Sequence, residues 1–229
     1  MLVSFLLLTI SSFGQKSSIT INYKPSLTSF GQQSQSFQHY YFASRKGDPT
    51  FNNTINVLYN HQLSSRVVLM TGLEYSQQGQ NINFNADSAF PSSNRKILKV
   101  QLNYLRLPLT VGYSIYKTTN SNLNIYSGVS LGIAIKRRDN YQDIIIEDIL
   151  LPPANKRYKN TDWAIPIGIQ YKKELTPLIY INVGGEYLLG LTNSFTNSGS
   201  SKFGVLSEFK NSRQNRLAIS FGVGINLTK

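Results

Sequence analysis

Residues 123–135 read LNIYSGVSLGIAI. At odd numbers the stretch is Leu123, Ile125, Ser127, Val129, Leu131, Ile133 and Ile135; at even numbers it is Asn124, Tyr126, Gly128, Ser130, Gly132 and Ala134. One face is aliphatic and the other small or polar, which is the period-two signature of a β-strand. Residues 217–227 repeat the pattern, with Leu217, Ile219, Phe221, Val223, Ile225 and Leu227 against Ala218, Ser220, Gly222, Gly224 and Asn226. In a chain that is 41% apolar, six apolar residues at six alternate positions arise by chance in about half a per cent of cases. Composition alone therefore does not explain the rows. Trp163, Ile165, Ile167, Ile169 and Tyr171 form another, as do Ile179, Ile181, Val183, Tyr187, Leu189 and Leu191, interrupted by Gly185. Shorter rows run through Ile19, Ile21 and Tyr23; Ile55, Val57 and Tyr59; Val67, Leu69, Leu73 and Tyr75; and Leu105, Leu107, Leu109, Val111 and Tyr113. The spacing predicts about eight strands, each about 10 to 14 residues long, with no competing helical period.

The connections alternate in length. Strands pair through short turns near 62–66, 116–122 and 172–177, while long polar stretches occupy 31–50, 80–98, 137–160 and 193–213. Short and long connections in alternation are the pattern of a transmembrane barrel with small periplasmic turns and larger extracellular loops. The reading is all-β: an antiparallel up-and-down transmembrane barrel of about eight strands. It forms one domain over residues 15–229, with both termini periplasmic. A soluble lipocalin-like barrel shares the period but turns its non-aliphatic face to water, where Lys, Glu and Thr belong. Here that face carries Gly72, Gly112, Gly128, Gly132, Gly168, Gly184, Gly190, Gly222 and Gly224. Small residues suit the crowded interior of a narrow barrel, so the aliphatic face points outward, into lipid. Tyr23, Tyr59, Tyr75, Tyr113, Trp163, Tyr171 and Tyr187 lie towards the row ends, where interfacial girdles form.

Composition closes off other classes. With 229 residues, 15% charged and 12% aromatic, the chain is too apolar for disorder. It has no Cys, hence no disulfide framework, thiolate metal site or lipid-anchored cysteine. The 2 His leave little for metal or acid–base work, and no cofactor or metal is expected. The net charge of +12 comes from 23 Lys+Arg spread singly or in pairs along the chain. That distribution fits a basic surface and no nucleic-acid partner. Residues 2–13 (LVSFLLLTISSF) are uncharged and too short to span a bilayer. They read as the apolar region of a secretory signal peptide covering 1–14, cut before Gln15.

The segment Tyr104-Leu-Arg-Leu-Pro-Leu109 resembles the Tyr-Leu-x-Ile-Pro-Leu strand motif of the PorT-like outer-membrane β-barrel domains of Bacteroidetes. Thr71-Gly-Leu-Glu-Tyr-Ser-Gln-Gln-Gly79 is similar to the strand two elements earlier in that family, and Phe13-Gly14-Gln15 to the start of its mature chains. The resemblance covers the whole mature chain and implies the fold. The family name comes from a type IX secretion component, so an accessory role there is one implication, but no mechanism transfers.

Three motifs carry possible chemistry. Gly128-Val-Ser130-Leu-Gly132 matches the nucleophile-elbow pattern, yet Ser130 falls inside a strand and both His precede it. His39 and Asp87-Ser88 lie in long connections, where a rim His acting as base to a Ser is the enzyme reading. Asp87-Ser88-Ala89 also resembles an O-glycosylation site. The chain is read as no enzyme. Counting from the short turns, Glu74, Arg106 and Glu186 fall at one depth and turn inward, provided the register slips near Tyr104–Leu105. Two carboxylates around one guanidinium in a narrow lumen form a plug; the other reading has Arg106 facing out and snorkelling. Ile144, Ile145, Ile146, Ile149, Leu150 and Leu151 make an apolar patch in a long connection. It is a candidate protein-contact loop, or else a lid or hairpin extension. The function expected is a monomeric, non-enzymatic barrel with a structural or partner-binding role, in contact with outer-membrane lipid and lipopolysaccharide. A passive small-solute pore is the alternative.

Overall fold

A computed structural model describes residues 16–31, 45–84, 96–142, 158–194 and 213–227. The strands are β1 (Ser17–Gly31), β2 (Arg45–Gln62), β3 (Val67–Phe84), β4 (Lys96–Lys117), β5 (Ser121–Gln142), β6 (Thr161–Glu174), β7 (Ile179–Asn193) and β8 (Arg213–Asn226). Each pairs antiparallel with its sequence neighbours, and β1 pairs with β8, so the sheet closes into an eight-stranded barrel. Closure leaves no free edge along the wall, which is what a β-structure in lipid requires.

The alternation of the sequence becomes the two sides of the wall. Odd positions of β7 and β8, and of β5 as far as Ile135, face outward, and Ile133, Ile181 and Leu217 are all exposed. Even positions face the lumen, as Asn124, Asn182 and Ser220 show by their burial. All seven girdle aromatics point outward. Tyr59, Tyr113 and Tyr171 lie close to the short turns, whereas Tyr23, Tyr75, Trp163 and Tyr187 lie further along their strands.

The strands are longer than the aliphatic rows. They run from 14 residues in β6 and β8 to 22 in β4 and β5. The extra length lies at the long-connection end, where β-pairing continues through polar residues such as Asn81–Lys99 and Lys99–Asn140. Apolar periodicity reports only the lipid-facing band, whereas backbone pairing needs no apolar side chain.

In-strand prolines sit where the ladder is interrupted. Pairing of β1 with β8 skips from Tyr23 to Ser26 around Pro25. Pairing of β3 with β4 skips from Leu109 to Arg106 around Pro108. Pairing of β5 with β6 skips from Ile167 to Ala164 around Pro166, and Pro49 borders a register shift between β2 and β3. Proline has no N–H to give the ladder, so each is placed where none is asked for.

The expected slip in β4 is corrected. Even residues from Val100 to Ser114 all stay inside, including Leu102, Tyr104 and Arg106. The register shift lies on the partner strand: Asn103 pairs with Lys136 and Tyr104 with Ala134, leaving Ile135 of β5 as the extra residue. A second bulge leaves Ile115 of β4 unpaired, so that Ile115 and Tyr116 both reach the outside.

Candidate functional site

The site is the lumen, and its centre is a ring of four charged side chains. Lys24 of β1 lies 3.2 Å from Glu74 of β3 and 2.7 Å from Glu186 of β7. Arg216 of β8 places Nη1 2.7 Å from Glu74 and Nη2 2.5 Å from Glu186. Cations and carboxylates therefore alternate around a closed square with no net charge. None of the four side chains is more than 5% exposed. A buried charge left alone is costly, and the pairing with extra hydrogen bonds offsets that cost. The extra bonds are present. The Tyr126 hydroxyl donates to Glu186 at 3.0 Å, Asn56 donates to Glu74 at 3.4 Å, and Arg216 donates to Thr54 at 3.1 Å and Ser76 at 2.7 Å. Six strands contribute side chains to the ring and its hydrogen bonds.

A second pair stands beside the ring. Arg106 of β4 is bonded to Asp162 of β6, whose other oxygen accepts a 2.6 Å bond from Thr192. The grouping expected from sequence thus changes. Glu74 and Glu186 do come together, but the guanidinium between them is that of Arg216. Arg106 is buried inside the lumen, not turned outward. The reason is local space. Arg106 is paired across the strands with Glu74 on one side and Gly132 on the other. Gly132 has no side chain, and a Cβ there would sit 3.2 Å from Arg106 Cζ. The arginine therefore lies over β5 and reaches Asp162, the residue paired with Gly132 on its far side. Parity also turns Lys24, Asp162 and Arg216 inward, by the same rule that places Glu74; a charged residue at an inward position was the available signal for all three.

Glycine accommodates the other large lumen groups in the same way. Tyr126 faces Gly168 and Tyr180 faces Gly224 across the sheet, and each ring occupies the space that a Cβ at its partner would take. An aromatic covering a cross-strand glycine recovers packing that the glycine cannot supply.

The lumen changes character along its axis. On the long-connection side of the ring the interior is closely packed, with Phe30, Val100, Leu102, Tyr104 and Tyr158 buried among the equally buried polar side chains of Thr28, Gln78, Gln80 and Gln214. On the short-turn side it opens into a polar vestibule of about 130 Å³, lined by Asn60, Asn124, Gln170 and Lys172 among others. A smaller cavity of about 30 Å³ lies against the ring itself. Ser130 is a buried lumen residue of β5 paired with Pro108 and Ala164, in mid-strand and without the strand–turn–helix of an elbow. His61 stacks on Tyr59 and contacts Ser17. Among the described residues no cluster of His, Asp and Glu is suited to hold a metal ion. His39, Asp87, Ser88 and the patch Ile144, Ile145, Ile146, Ile149, Leu150 and Leu151 lie outside the described residues.

Solved structures with a similar course are small outer-membrane proteins. The attachment invasion locus protein Ail of Yersinia pestis aligns over 93% of this chain and 98% of its own, at 12% identity and a TM-score of 0.46. OprG of Pseudomonas aeruginosa aligns over 93% and 97%, at 8% identity and a TM-score of 0.49. The outer membrane protease OmpT of Escherichia coli aligns over 93% and 96%, at 10% identity and a TM-score of 0.46. No curated protein matches the chain by sequence. The family described as outer membrane protein beta-barrel domain matches residues 13–196. With that match, and with a closed eight-stranded wall that is aliphatic outside and polar inside, the chain belongs to the outer membrane β-barrel domain family.

Proposed function

We propose that this protein is a non-enzymatic outer-membrane barrel with a shut lumen, whose role is structural or partner-binding at the cell surface. The observation that carries the reading is the Lys24–Glu74–Arg216–Glu186 ring, which occupies the bore with side chains satisfied by one another. A passive small-solute pore, the alternative, needs a continuous water path across that level. The layer of Phe30, Val100, Leu102 and Tyr104 beyond the ring weighs against one. Both termini are assigned to the periplasm on connection length, with residues 1–14 as a removed signal peptide. The resemblance of the Tyr104 to Leu109 and Thr71 to Gly79 segments to PorT-like domains supports a narrower reading, an accessory part in type IX secretion in Bacteroidetes.

Proteoliposome swelling tests the shut lumen. Vesicles carrying the refolded protein should swell in isotonic arabinose at the rate of protein-free vesicles; porin-like swelling would replace this reading with the pore. The partner-binding half rests on the sequence of 144–151 and has its own test. Replacing that segment with a Gly/Ser linker should leave a heat-modifiable barrel and remove a specific co-purifying protein from native-membrane pull-downs. Survival of every co-purifying protein contradicts it.

A further inference from the structure

The vestibule at the short-turn end has the charge imbalance that the ring lacks. Lys16, Arg66, Lys117 and Lys172 all line its wall, and Glu174 is the one carboxylate there among the described residues. Lys172 lies 3.8 Å from Glu174; among the described residues Lys16, Arg66 and Lys117 have no carboxylate at ion-pair distance. Neutral groups hold three of the four cations in place. The Lys172 ammonium sits 3.6 Å from the centre of the Tyr180 ring and donates to Asn226 at 3.2 Å. Lys117 donates to the Ser65 carbonyl at 2.8 Å, whereas Arg66 turns its guanidinium to the outward-facing Tyr113 hydroxyl at 3.3 Å.

Lys16, Lys117 and Lys172, gathered on one small mouth, repel one another, and a bound anion relieves that repulsion. The anion must be small enough for about 130 Å³ and must carry more than one charge. A carboxylate offers one charge and two oxygens. A phosphate monoester carries about −1.5 to −2 near neutral pH and three acceptor oxygens. Lysine ammoniums bind it as point charges. We propose that this vestibule is a binding site for a phosphate-bearing anion, either a soluble phosphorylated molecule or the headgroup of an anionic phospholipid. The proposal stands apart from the shut-lumen reading, because the cations lie at the mouth and not in the ring.

The test is titration of the full-length protein, refolded into phosphatidylcholine nanodiscs, with sodium tripolyphosphate by calorimetry. One saturable site is expected. Lys172→Gln and Lys117→Gln should each weaken it roughly fivefold, the scale of a partly exposed charge-assisted contact. Lys173 faces outward on the same strand, so Lys173→Gln removes the same charge from outside the vestibule and should change affinity less than about twofold. Lys172→Arg should retain binding, and heat-modifiable migration reports folding for each variant. Absence of saturable binding to wild type overturns the proposal, as does an equal loss in Lys172→Gln and Lys173→Gln. In a second arm about a third of the lipid is replaced by phosphatidylglycerol. Competition by that lipid supports the site with the headgroup as its source; unchanged affinity supports it with a soluble source.

Discussion

The two halves of the lumen are built on opposite plans. Above the ring, towards the long connections, Phe30, Val100, Leu102, Tyr104 and Tyr158 are packed almost without exposure. Below it, towards the short turns, the wall is mostly amide, hydroxyl and ammonium, with Val68 and Met70 among them, around an open vestibule. The same eight strands line both halves, so strand geometry does not make the difference. What differs is how closely the side chains inside pack. The ring and the packed layer occupy one side of the bore, and the other side is left as a cup.

The largest expected effect is at the boundary. Arg216→Leu leaves Glu74 and Glu186 facing each other with Lys24 as their remaining cation. Removing one partner of a buried pair costs about 3–5 kcal/mol, to be read as a lowered midpoint of urea unfolding in lipid vesicles. A change within about 1 kcal/mol would mean that water, and not the ring, fills this level. In the packed half, Leu102→Ala empties space around a side chain that is 0% exposed; about 2–4 kcal/mol is expected in the same assay. In the open half, Val68 lines the vestibule and is half-buried, so Val68→Ala should cost less than about 1 kcal/mol. Equal costs for Leu102→Ala and Val68→Ala would erase the contrast between the halves.

Which parts of this were legible in the sequence follows from how local each signal is. The strands and their outward faces were legible because period two is a property of neighbours in the chain; residues 123–135 suffice to identify β5. The inward direction of Glu74 and Glu186 follows from the same parity. Their common partner does not, because Lys24 and Arg216 approach from β1 and β8, across the bore. Which carboxylate a lumen arginine reaches depends on the space its neighbours leave, and Gly132 hands Arg106 to Asp162. Val100, Leu102 and Tyr104 misled for a different reason. Apolar residues at inward parity imitate a register slip when the interior is taken to be polar throughout, and here they form the packed layer. The bulge itself, at Ile135 of β5, leaves β4 in a single parity from Val100 to Ser114.

The central claim is that the charge ring shuts the bore, and single-channel recording in planar bilayers tests it most directly. Wild-type protein should show no steady conductance steps. The triple substitution Glu74→Ser, Glu186→Ser and Arg216→Ser, which removes the large side chains while keeping the lumen polar, should open small, steady steps in a barrel that remains heat-modifiable. Large, steady conductance from the wild type, unchanged in the triple variant, would contradict the account.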